Sequence, residues 1–112
     1  MQTEQLNHLL TQPQFKFGQF IAFIDQHYQY QPTAFRNGDL QNDAGQNEGS
    51  CKLFFFAKLH QLSAEKTLKC FGEHYATVLD TPEGDSHQNI RNFMKHGWEG
   101  IQFNGIALSE KS

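Results

Sequence analysis

The chain has 112 residues, enough for one domain over 1–112 that buries roughly two thirds of its unfolded surface and folds without metal or disulfide. Its formal charge of -3 and sequence pI near 6.0 oppose generic phosphate-backbone binding, so no nucleic-acid partner is expected. No stretch approaches the roughly 18 apolar residues of a bilayer span, and two cysteines outside any spaced framework, with no signal-peptide pattern ahead of them, point to a reducing cytoplasm.

Thr3 caps a short first helix over 3–10, with Glu4 in its first turn and Pro13 beyond its end. Phe17, Phe20, Ile21, Ile24 and Tyr28 follow the spacing of one helical face and predict a second helix over 17–28, stopped by Pro32. Short strands are expected around 33–37 and 40–42, joined at Asn37-Gly38, a residue pair that tolerates the positive φ of a tight hairpin. A third helix over 51–61 follows Gly49-Ser50. Its centre, LFFFAKL, is apolar on almost every side and belongs in the middle of the domain.

Ser63 caps a fourth helix over 64–79, with Gly72 as a weak interior point. Asp85 or Ser86 caps a fifth over 87–97 that buries Ile90, Phe93 and Met94 and stops at Gly97. Asn104-Gly105 reads as another tight turn, between strands around 101–103 and 106–108 that pair with the first hairpin. The fold class is α+β, with helices dominant and a small sheet of short strands packed on them.

Thr33 to Lys52, TAFRNGDLQNDAGQNEGSCK, is a polar, glycine-rich block between two apolar segments, and it hydrogen-bonds either to the protein itself or to something else. With the leading run extended to TAFRNGDLQNDAGQNEGSCKLFFFAKLHQLS, and with HQNIRNFMKHGWEGIQF, the DQHY at Asp25 to Tyr28 and the NGIAL near the end, the chain resembles the HopJ type III effector family over nearly its whole length. The resemblance implies a plant-pathogen type of effector delivered through a type III apparatus, and it carries no activity with it. The location expected is cytoplasmic, with export into a host cell as the resemblance implies.

Two readings of the chemistry compete. In the enzyme reading Cys51 opens the third helix as a thiol nucleophile, activated by the helix dipole and free amides, with His87 or His96 as base and Asn89 or Asn92 orienting it. In the binding reading Arg36, Asn37, Asp39, Asn47 and Glu48 from the first block meet Asn89, Arg91 and His96 of the fifth helix in a polar cleft walled by Trp98. The same contacts serve equally as a structural framework that satisfies loop backbone groups.

No metal site is expected. Asp39, Asp43 and Glu48 miss the calcium-loop template, since Ala44 follows Asp43 and Ser50 stands where the closing Glu belongs, and the six His form no ligand pair. No cofactor is expected either. The helices around His60 to Ser63 are too poor in cations for a helix-turn-helix. The reading that results is a binding or interaction domain, its partner an unidentified small molecule or protein, or a host protein if the chain is secreted, with the Cys-His enzyme as alternative.

Overall fold

The computed structural model describes residues 8–11 and 15–111 and has an α+β fold. Of the expected first helix only His8 to Leu10 fall among these, and they are helical; the rest of that prediction lies outside the described residues. The helices bounded within the described residues are α1 (Phe17–His27), α2 (Glu48–Leu59), α3 (Ala64–Lys69), α4 (Glu73–Asp80) and α5 (Gln88–His96), with a 3-10 turn at Gly97–Gly100. The strands are β1 (Tyr28–Tyr30), β2 (Phe35–Asn37), β3 (Leu40–Asn42), β4 (Ile101–Phe103) and β5 (Leu108–Glu110).

Helix α1 presents Phe20 and Ile24 to the core, as their spacing predicts. It ends one residue earlier than expected, because Tyr28 turns to extended backbone (φ -134, ψ 151) and starts β1. That strand runs antiparallel to β5, with Tyr28 opposite Glu110 and Tyr30 opposite Leu108. The tail strand expected at 106–108 is therefore shifted to Leu108–Glu110 and pairs with a different partner. Asn104-Gly105 closes no hairpin; the segment after it crosses to a second, two-stranded sheet.

The hairpin at Asn37 forms as expected, with Gly38 at φ +61 in the turn and β2 pairing β3 through Asn37 opposite Leu40. The first strand begins at Phe35, two residues later than predicted. On its other side β2 pairs β4, giving the order β3-β2-β4.

The centre of α2 is the centre of the domain: Cys51, Leu53, Phe54, Phe56 and Ala57 are all fully buried. A buried phenyl ring contributes on the order of 2 kcal/mol, so this helix and the rings around it supply much of the folding free energy. The expected fourth helix is broken in two at Cys70-Phe71-Gly72. Gly72 sits at φ +59, and a Cβ there would lie 2.8 Å from the Phe17 backbone nitrogen, so the close approach of α1 decides the break. The first residue of α4 then serves α1: the Glu73 carboxylate accepts a hydrogen bond from the Phe17 N–H at 2.7 Å, which lowers its pKa.

Helix α5 buries Asn89, Ile90 and Phe93. Met94, expected in the core, is exposed. Its N-cap is His87, one turn residue later than Ser86, and Gly97 ends it at φ +64.

Candidate functional site

The polar block and the fifth helix do meet, as a buried amide network. The Asn37 Nδ2 donates to the backbone carbonyl of Asn89 at 2.8 Å and to its Oδ1 at 3.0 Å. Asn42 and Asn89 exchange two side-chain bonds, both at 3.1 Å, and the Asn47 Nδ2 donates to the Asn42 Oδ1 at 2.6 Å. Asn37 and Asn42 are essentially inaccessible, and Asn89 is 5% exposed. Four amides thus bind the hairpin and the start of α2 to α5.

The other residues of the expected cleft do not converge with them. Arg36 is exposed and donates from Nε to the Gly38 carbonyl at 3.0 Å; Asp39 and Glu48 are also exposed. His96 packs against the turn, where a Cβ on Gly38 would come within 2.2 Å of its ring, which explains why residue 38 is glycine beyond its positive φ. Arg91 faces the other way and donates to the Thr81 carbonyl at 2.7 Å and to the Ser86 carbonyl, holding the loop ahead of α5. Trp98 is a packing residue: its ring stands edge-on to Phe54 and Phe93, and its Nε1 donates to the Leu62 carbonyl at 3.0 Å.

Cys51 does not occupy the position that nucleophilic chemistry requires. Helix α2 begins at Glu48, three residues before the predicted start, so the Cys51 N–H is already bonded to the Asn47 carbonyl at 2.9 Å and offers no free amide. The side chain is fully buried, donates toward the Thr33 carbonyl at 3.5 Å, and burial pushes its thiol up to about 11. Burial pushes the Cys70 thiol higher, to about 12. At pH 7.5 Cys51 is then ionised a few hundredfold less than a free cysteine and Cys70 a few thousandfold less, so iodoacetamide is expected to label both only as fast as the fold opens. Mass spectrometry after timed quenching checks this; rapid labelling of Cys51 alone in the native protein would restore it as a nucleophile.

A different cleft is present, of about 220 Å³, lined by Phe17, Asn47, Ser50, Phe71, His74 and His87 together with Gly49, Asn89 and Ile90. Four helix starts, those of α1, α2, α4 and α5, bring these residues together. Asn47 and His87, the N-caps of α2 and α5, both adopt left-handed backbone (φ 50 and φ 52). An N-cap in the usual extended conformation folds its side chain back over the first-turn amides; from the left-handed region neither Asn47 nor His87 does so. A non-glycine residue held at positive φ costs on the order of 1 kcal/mol, and such strain collects at functional sites. The rings of His74 and His87 lie 4.9 Å apart, and His74 also meets Phe17 edge-on at 5.0 Å. Desolvation, then the neighbouring His74 and Arg91, lowers the His87 pKa.

Sequence reasoning placed Asn47, Asn89 and His87 among its candidates and missed Phe17, Ser50, Phe71 and His74. Gly49 was a visible signal of this packing. The sequence makes it the lead-in to a helix over 51–61, whereas it lies inside α2 and a Cβ there would meet the Phe17 ring at 2.9 Å.

The sequence pattern of the HopJ type III effector protein family matches residues 2–108. The chain belongs to the HopJ family. This HopJ chain is also similar to a solved structure described as the unknown function protein VPA0580, with 49% identity, 97% of this chain and 92% of that chain covered, and a TM-score of 0.90. No curated protein matches it. Among the described residues no helix is long and apolar enough to cross a membrane.

Proposed function

We propose that this HopJ domain acts by binding, and that it holds a small molecule bearing hydrogen-bond acceptors in the cleft between α1, α2, α4 and α5. The observation that carries the reading is the cleft itself: two aromatic walls, a serine, and two histidines in ring contact converge on one concavity. Its polar groups donate more readily than they accept. Ser50 contributes a hydroxyl, the two imidazoles gain a second N–H on protonation, and the first turns of α2 and α5 add backbone N–H groups. Family membership supports delivery into a host cell through a type III apparatus, which a translocation reporter fused to the N-terminus tests.

Binding is expected to depend on pH with a definite sign. His87 has a lowered pKa in the free protein. An acceptor bound beside it stabilises the imidazolium and raises that pKa, so affinity increases as pH falls from 7.5 to 5.5. Histidine ring resonances followed by NMR during titration with inorganic phosphate, citrate and a metabolite panel provide the measurement. Perturbation of His74, His87 and the amides of 48–50 and 88–89, weakened about tenfold or more in a His74→Gln, His87→Asn double variant, is the expected result. Asn is chosen at 87 because it tolerates the left-handed backbone. Unchanged affinity in that variant defeats the reading.

A further inference from the structure

Among the described residues the exposed large hydrophobic side chains are Leu59, Leu79, Met94 and Ile106. Leu59 and Ile106, 51% and 69% exposed, line one groove of about 340 Å³ with Phe55, Lys58, Phe103 and Gly105. This groove runs along β4, one of the two outer strands of the β3-β2-β4 sheet. The Asn104 N–H bonds the Ala34 carbonyl and the Gly38 N–H bonds the Gly100 carbonyl, so residues 100, 102 and 104 turn their backbone groups toward β2. The backbone groups of Ile101 and Phe103 therefore point away from β2, while the Ile101 side chain stays in the core. The Ile101 N–H is taken by the Trp98 carbonyl, leaving the Ile101 carbonyl and both backbone groups of Phe103 without a backbone partner among the described residues.

We propose that this edge and groove form a docking site for an extended, acidic-apolar segment of another protein, which adds a strand to β4 and lays alternate side chains over Leu59 and Ile106. The open ladder groups call for an extended main chain, and the apolar groove calls for side chains of alternating character. Charge decides between occupants. Among the described residues the only charged side chain lining the groove is Lys58, whose ammonium lies 5.9 Å from the Phe103 ring centroid. Two copies of this chain paired edge to edge would bring two Lys58 groups to one short strand, whereas a carboxylate on a different protein complements it. The surface is separate from the histidine-lined cleft.

The test is an NMR titration of the isotope-labelled full chain with an end-capped heptapeptide, Glu-Thr-Val-Thr-Val-Thr-Glu, whose Glu and Val side chains share one face, and with a control in which both Glu are Lys. Expected are amide shifts concentrated at Phe55, Lys58, Phe103 and Ile106, slowed exchange of the Phe103 N–H, and binding of the control about tenfold weaker or more. Lys58→Glu is expected to reverse the preference between the two peptides. Ile106→Arg is expected to weaken binding about tenfold with the circular dichroism spectrum unchanged, since its side chain is exposed. Shifts that fall elsewhere, or affinity blind to peptide charge, overturn the proposal. Concentration-dependent dimerisation that Ile106→Arg abolishes also overturns it, in favour of a second copy as occupant.

Discussion

Replacing Asn89 with Ala is expected to destabilise the domain by about 3 kcal/mol, measured as a shift in the urea midpoint with an unchanged slope. Asn89 is the hub of the buried amides: its Oδ1 accepts from Asn37 and Asn42, and its Nδ2 donates to Asn42. The Asn37 Nδ2 keeps the residue-89 backbone carbonyl, and the Asn42 Oδ1 keeps Asn47, but the Asn42 Nδ2 loses its partner in a site only 1% exposed. An orphaned buried donor costs about 1–3 kcal/mol, and the small cavity left by the amide adds to it. Against a typical domain stability of about 5–15 kcal/mol this is a large loss. Asn89→Asp provides a second arm with its own sign. The carboxylate sets an oxygen where the Nδ2 faced the Asn42 Oδ1 and buries a charge, so its pKa is raised and the variant is expected to lose stability as pH rises from 5 to 7 relative to the parent. By contrast Asp39→Ala, on the exposed turn of the same block, is expected to change stability by no more than about 0.5 kcal/mol. A loss equal to that of Asn89→Ala would mean that the turn, and not the amide hub, holds the hairpin.

How much of this was legible in the sequence follows the range of the interactions involved. The face of α1, the burial of α2 and the Asn37-Gly38 hairpin are local patterns, a 3.6-residue period and a turn preference, and each forms as read. Strand β1 was missed because three residues directly after a helix carry almost no pattern of their own. It is a strand only because Leu108–Glu110 returns to pair with it, some eighty residues later in the chain. The break between α3 and α4 had a visible cause in Gly72, yet its φ of +59 is imposed by the α1 backbone lying against it, which no window around residue 72 contains. The candidate site divides the same way. Its asparagines were conspicuous as a polar cluster, and their burial follows from Asn89 packing on β2 and β3. The cleft needed His74 and His87 to meet across the loop between α4 and α5, and neither histidine sits in a ligand-like spacing.

The largest effect is expected from Phe54→Ala, a loss of about 4 kcal/mol in the same urea experiment. Phe54 is fully buried, and its ring meets Phe93 at 5.0 Å, Phe71 at 5.4 Å, Phe35 at 6.1 Å and Trp98 at 6.4 Å between centroids. Those four rings belong to α5, the break before α4, β2 and the 3-10 turn, so one side chain ties α2 to the parts of the fold that carry the hairpin and the cleft. Truncation to Ala removes a phenyl ring's transfer free energy and leaves a cavity that four large aromatic neighbours cannot fill without leaving their rotamers. Phe55, the next residue, is half-buried and faces the β4 groove, where it meets Phe103 edge-on at 5.0 Å. Phe55→Ala is therefore expected to cost only about 1–2 kcal/mol, and the difference between adjacent phenylalanines isolates burial from side-chain chemistry. Phe71 is the route from this core to the cleft: it stacks on Phe17 at 5.7 Å and lines the concavity beside His74. Phe54→Leu, which retains most of the volume, is expected to cost less than about 1.5 kcal/mol and to leave the His74 and His87 resonances in place. Loss of the phosphate response in Phe54→Leu at full folding would mean that the cleft depends on the exact placement of Phe71.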